Sequence, residues 1–287
     1  MQRRYYRDGV ELSIIGFGGM VVVGMDQKSA DALVAESFDR GVNYFDAAPF
    51  YGDGEAEQKL GIALEPFREK IFLSCKTLRR SAAGAREELE RSLCRLRSTH
   101  FDLYQFHAVT KGSDVEAIFA PGGAMDSVLE ARQEGKVRFI GFSAHSVEAA
   151  LAMLDRFKFD SILFPINYVC YAKGNFGPQV IQKAKELGVA RIALKALALG
   201  PCRKGEKRTY PKCWYRPISD HDLALQAIRF AFSENVTSII PPADEGLFRM
   251  VLDFAADVRP MTTEERIRLI ESAQKLQPLM RFRKKIQ

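Results

Sequence analysis

Eight apolar, β-branched or aromatic runs recur along this 287-residue chain with amphipathic segments between them, and this alternation constrains the fold most. They are SIIGFGG (Ser13–Gly19), NYFDAA (Asn43–Ala48), IFLSCKT (Ile71–Thr77) and FDLYQFHA (Phe101–Ala108). Then follow RFIGFSA (Arg138–Ala144), SILFPIN (Ser161–Asn167), ARIALKALA (Ala190–Ala198) and TSIIPPA (Thr237–Ala243). Segments such as SAAGAREELERSLCRL and GPQVIQKAKELGV read as helices between them. Strands that alternate with helices must run parallel, each helix being the crossover. Eight repeats predict a closed (β/α)8 TIM barrel more than an open sheet. Ahead of the first repeat, YRDGVEL predicts a hairpin with an Asp-Gly turn, placed at the barrel bottom. No linker or low-complexity segment interrupts the chain, so residues 1–287 read as one domain.

A barrel turns position into chemistry, because ligand sites form at the C-terminal mouth of the strands. Asp46 ends the second run, Lys76 the third and His107 the fourth, and Tyr51 lies in the turn just after the second. An aspartate buried at a strand end is costly unless paired, and Lys76 on the neighbouring strand is the expected partner. A cation beside a phenol favours phenolate, so Tyr51 is expected to have its pKa lowered from about 10. That would suit a proton donor to a carbonyl oxygen, which His107 could also hydrogen-bond. Cys75 should point the opposite way from Lys76, into the helix layer, as packing.

NYFDAAPFYGDGEAEQKLG, the lysine of FLSCKT and the histidine of DLYQFHA resemble the aldo-keto reductases. The likeness runs from SIIGFGG through GKVRFIGFSAH to SIIPPADEGLFRMVLDF. It implies a (β/α)8 barrel that reduces an aldehyde or ketone with a nicotinamide dinucleotide, Asp46, Tyr51, Lys76 and His107 forming the catalytic tetrad. The cofactor side departs from the family pattern. Gly19 and Met20 are implied contacts after the first strand. The Ser-Asn pair that holds the carboxamide appears as Ser143 followed by Ala144. Phe164 falls at the family's glutamine, leaving Asn167 as the nearby amide, and Leu194 replaces the stacking tyrosine. Lys195 would meet the cofactor pyrophosphate or an acidic substrate, or snorkel to the rim. After the last strand, Pro242 replaces the family's lysine, while Arg249 and Asp253 survive with a one-residue insertion. The resemblance therefore favours NADP(H), carried mainly by Arg249, with NAD(H) as the other possibility. The altered carboxamide positions also leave open a dinucleotide-binding regulatory barrel with little turnover.

Charge and cysteines narrow the setting. The formal net charge of +6 is spread along the chain, densest at Pro201–Arg208 and Arg281–Lys285. No groove-reading motif accompanies these runs, so nucleic acid is not expected and a small anionic molecule suits them better. Five cysteines form no CxxC pair and no metal-ligand spacing, which fits a reducing compartment. Neither a signal-peptide nor a membrane-spanning pattern is seen, so a cytoplasmic location is expected. The loops TKGSDVEAIFAPGG and PCRKGEKRTYPKCWYRPIS set the substrate. The short tail QPLMRFRKKIQ implies an open pocket, or one that a neighbouring subunit completes. Oligomeric state is not legible.

Overall fold

A computed structural model describes residues 1–203 and 205–283; Lys204 and the last part of the basic tail lie outside the described residues. The chain opens with an antiparallel hairpin, β1 (Arg3–Arg7) and β2 (Val10–Ser13). Its turn places Asp8 at φ 49° and Gly9 at φ 77°, the left-handed pair an Asp-Gly turn supplies. Eight parallel strands follow: β3 (Phe17–Gly18), β4 (Tyr44–Asp46), β5 (Phe72–Thr77), β6 (Phe101–Val109), β7 (Val137–Ala144), β8 (Ser161–Pro165), β9 (Ala190–Leu194) and, after an excursion, β12 (Ser238–Ile240). That excursion is a second hairpin, β10 (Ala198–Pro201) with β11 (Tyr215–Pro217).

The helices are α1 (Gln27–Asp39), α2 (Glu55–Leu64), α3 (Ala82–Arg95), α4 (Gly112–Phe119), α5 (Ala124–Gln133) and α6 (Val147–Arg156). They continue with α7 (Tyr168–Gly174), α8 (Pro178–Glu186), α9 (His221–Ser233), α10 (Glu245–Asp253) and α11 (Thr263–Ala273). Polar caps start many of them; Asp26, Ser81, Ser146, Asp220, Asp244 and Thr262 each accept from an amide in the first turn.

Ile15 bridges Ile239, and Gly16 N donates to Ile239 O and Ile239 N to Ile14 O, each at 2.9 Å, so the ladder returns from β12 to the first strand. Gly16 is required there, because a Cβ would stand 2.6 Å from the Tyr44 ring and 2.8 Å from Ile240. β3 is much shorter than the Ser13–Gly19 run, and a 3-10 turn begins at Gly19.

Inward side chains alternate with those facing the helices along each strand. At the bottom, Tyr6 and Leu12 of the hairpin pack with Tyr44, Phe72, Leu103, Phe139, Leu163 and Ile192. The Tyr6 ring lies edge-on to Phe72 and Phe139, with centroids 5.2 and 5.3 Å away. This plug seals the lower end and leaves the opposite mouth as the place for polar groups.

Candidate active site

Two residues above Tyr44, Phe72 and Leu103 of that apolar layer, three neighbouring strands bring in polar side chains. Asp46 follows Tyr44 on β4, Ser74 and Lys76 follow Phe72 on β5, and Gln105 and His107 follow Leu103 on β6. Register sets Asp46 beside Ser74 and Lys76 beside Gln105. Lys76 Nζ lies 2.5 Å from Asp46 Oδ2 and also donates to Ala47 O at 3.0 Å and Tyr51 Oη at 3.2 Å. Asp46 Oδ1 accepts from Ser74 Oγ at 2.8 Å, and from Gln105 Nε2 and Tyr44 Oη at 3.3 Å. Lys76 and Asp46 are 0% and 1% exposed, so water cannot stand in for either partner.

Tyr51 reaches this group because its turn is forced. Gly52, Asp53 and Gly54 all take positive φ, of 61°, 53° and 91°, and Tyr51 N bonds Ala48 O at 3.0 Å. Two glycines make that reversal inexpensive. It directs Tyr51 inward while leaving Phe50 69% exposed at the rim. His107 sits at an irregularity in the β6–β7 ladder, where the register shifts between Phe106 and Val109. Ala108 there has φ 53°, and its amide bonds Ser143 Oγ at 2.8 Å. Ser143 therefore props up the bulge that aims His107.

Burial holds the Tyr51 phenol above its ordinary value; Lys76 lowers it by charge, but not enough to reverse the direction. The expected net lowering is therefore corrected: Tyr51 stays protonated at neutral pH. Burial opposes charging Lys76, yet Asp46 and Tyr51 outweigh it and hold the ammonium above the usual lysine value. Burial, then the charges of Lys76, His145, Arg80 and Lys195, pushes His107 well below the ordinary histidine value, so it is neutral. Its Nδ1 is buried with no partner among the described residues. Cys75 faces outward, bonds Glu57 on α2 at 3.5 Å, and has its thiol pushed up by burial.

The remaining sequence-derived positions divide. Gly19 is buried in the turn after β3, where a Cβ would stand 2.8 Å from Leu60, and Met20 is half-buried beside it. Asn167 does not present a free amide. Its Oδ1 caps α7, while its Nδ2 is engaged by the carbonyls of Lys195, Ala196 and Ala198 at 3.2, 3.1 and 2.7 Å. Phe164 has the parity of the helix layer and stacks on Phe176 at 5.1 Å, so it does not line the mouth.

Arg249 lies one turn into α10, paired with Glu36 of α1 and, at 3.0 Å, with Glu245. Asp253 ends that helix, about 6 Å beyond Arg249 by helical rise, and pairs with Arg40 at 2.6 Å. Arg40 caps the end of α1, so Asp253, read from the sequence as a cofactor contact, is engaged there. A residue that motif reading missed stands at the rim: His145, the first residue after β7. Its Nε2 lies 2.9 Å from Lys195 Nζ.

The mouth suits a nicotinamide dinucleotide at its reactive end, where a protonated phenol, a charged lysine and a neutral imidazole lie together. The far end does not suit a 2′-phosphate. Arg249 is held by two carboxylates, Pro242 supplies no charge, and Asp244 already caps the helix start.

The sequence profile of the Aldo/keto reductase family matches residues 14–241. L-galactose dehydrogenase of Arabidopsis thaliana is 28% identical over 206 residues, covering 67% of this chain and 64% of its own length. Aldo-keto reductase YhdN of Bacillus subtilis is 33% identical over 157 residues, 49% of this chain and 46% of its own. The match thus spans about half to two thirds of these relatives. A solved aldo-keto reductase of Bacillus halodurans, in its holo form, superposes with a TM-score of 0.75 over 99% of both chains at 22% identity, a likeness of fold. With the profile matched over most of its length, this chain belongs to the aldo/keto reductase family.

Proposed function

We propose that the protein reduces a small aldehyde or ketone to the alcohol with a nicotinamide dinucleotide. The observation that carries this reading is the contact chain from Asp46 through Lys76 to Tyr51, beside His107, at the open mouth. When bound, the dinucleotide supplies hydride to the carbonyl carbon. This chain's side chains handle the oxygen: Tyr51 Oη gives it a proton, and Lys76 stabilises the phenolate left behind. Asp46, fixed by Ser74 and Gln105, keeps Lys76 charged and in place. Neutral His107 has a single N–H with which to orient the same oxygen.

A second reading rests on Asn167, Phe164 and Ala144: none offers a free amide to a carboxamide, which suits a barrel that binds a dinucleotide and turns over slowly. The acidic surroundings of Arg249 favour NAD(H) over NADP(H), against the preference the resemblance implies. A cytoplasmic setting accords with the five cysteines, all free, and no described helix is long and apolar enough to cross a membrane. Oxidation of NADH and NADPH against a panel of aldehydes, with Tyr51→Phe as control, tests the enzyme reading. Turnover that Tyr51→Phe abolishes while dinucleotide affinity stays within a few-fold is expected. Binding without turnover across the panel would favour the second reading.

A further inference from the structure

Lys195 is an unusual residue to find at the end of a barrel strand. Its φ is 59°, a conformation disfavoured for a side chain of this kind, and Asn167 holds it there by bonding its carbonyl and those of Ala196 and Ala198. That backbone directs the amine into the mouth. Nζ lies 2.9 Å from His145 Nε2 and 5.4 Å from the centre of the Trp214 ring, which the loop before β11 lays beside it. An ammonium can only donate, so His145 accepts on Nε2 and carries its ring proton on Nδ1 whenever Lys195 is charged. Asp46 neutralises Lys76 in the same mouth, but no carboxylate pairs with Lys195 among the described residues.

We infer that Lys195, with His145 beside it, is an anion subsite that recognises a carboxylate carried by the carbonyl substrate. The inference rests on the carbonyl-reductase reading for its substrate. Three features support it besides the missing counter-ion. The strain at Lys195 is held by a dedicated clamp, as expected of a positioned group. Burial first, and then the charges of Lys76, His145, Arg80 and Lys195, lower His107, so the subsite lies within electrostatic reach of the imidazole proposed to orient the carbonyl oxygen. Burial also pushes the Lys195 amine down to about 7, partly offset by Cys170, and its charge helps push His145 down to about 3. A carboxylate there would supply the counter-ion and draw a proton onto the amine. The titratable groups facing it are His145 just after β7, His107 on β6 and Cys170 on α7.

Trp214 is the chain's single tryptophan, so its fluorescence reads this subsite without turnover. Titration with benzoate should give a saturable change that methyl benzoate does not. The change should tighten as pH falls through about 7, weaken at least about ten-fold in Lys195→Met and recover partly in Lys195→Arg. In parallel, kcat/KM should favour 4-carboxybenzaldehyde over methyl 4-formylbenzoate, and Lys195→Met should bring that ratio towards one through KM. Benzoate binding without reduction of either aldehyde would support the subsite and sink the reductase reading. Reduction of both aldehydes alike, with no benzoate response, would sink the subsite alone. A loss of dinucleotide affinity in Lys195→Met equal to its loss of benzoate affinity would also overturn it, showing an amine that reads the pyrophosphate.

Discussion

Lys76 stands between a carboxylate and a phenol with no access to water, so its removal strikes both neighbours. Lys76→Met would leave Asp46 buried beside Ser74 and Gln105 without its cation. Breaking a buried pair from one side costs about 3–5 kcal/mol. Carbonyl reduction should fall with stability, since the Tyr51 phenolate loses the cation beside it. Urea melts and pH–rate profiles check this; a variant that melts like wild type with an unchanged profile would make Lys76 peripheral. Arg249 leads to the opposite expectation. Glu36 and Glu245 already occupy its guanidinium, so Arg249→Ala should move NADH and NADPH affinities together, each by less than about three-fold. A selective loss of about ten-fold or more for NADPH would mean that the arginine swings free to read a phosphate.

At the scale of elements, what the sequence revealed follows the period of the backbone. The eight strand runs, the Asp-Gly hairpin and the inward parity of Asp46, Lys76 and His107 were legible because alternation by two is written locally. The supports of Asp46 went unread, although the same rule points to them: Ser74 lies two residues before Lys76, and Gln105 two before His107. What could not be read were breaks in the period. The β6 bulge at Ala108 and the left-handed Lys195 carry no glycine to announce them, so ARIALKALA read as one strand instead of β9, a reversal and β10. The pairings of Arg249 and Asp253 across to α1 were equally hidden, since they depend on how two crossover helices lie together. Asn167 is the element-scale test. Asn167→Ala removes the α7 cap and the clamp on the β9 exit, and should cost about 2 kcal/mol or more. It should also erase any benzoate response of Trp214 while the fold persists. A variant with wild-type melting and benzoate titration would show that Lys195 keeps its conformation unaided.

For the whole molecule, the mouth collects groups whose protonation the fold opposes, and this sets how stability varies with pH. Burial and the Lys195 charge hold His145 down at about 3, and burial and neighbouring cations hold His107 well below its ordinary value. An unfolded histidine titrates near about 6.5. As pH falls through that value the unfolded chain takes up protons that the native mouth refuses, and stability drops. Lys195 acts in the same direction at higher pH: its native value of about 7 lies below the unfolded lysine's, so stability declines as pH falls between the two. Lys76 and Tyr51 are raised instead, so their contribution is intact at neutral pH and lost only as pH rises through strongly alkaline values. The carboxylates of Glu134 and Glu265, each held at about 2 by hydrogen bonds, from Arg86 and Arg229 first, lose their contribution only below the ordinary carboxylate range. Together these place maximum stability between about 7 and 10, on the alkaline side of neutral. Thermal melts should show Tm rising from pH 5 to pH 8, and the double variant His145→Gln, Lys195→Met should flatten that rise. A wild-type maximum at or below about pH 6, or a double variant with the full slope, would mean that the two groups are hydrated and titrate freely in the native mouth.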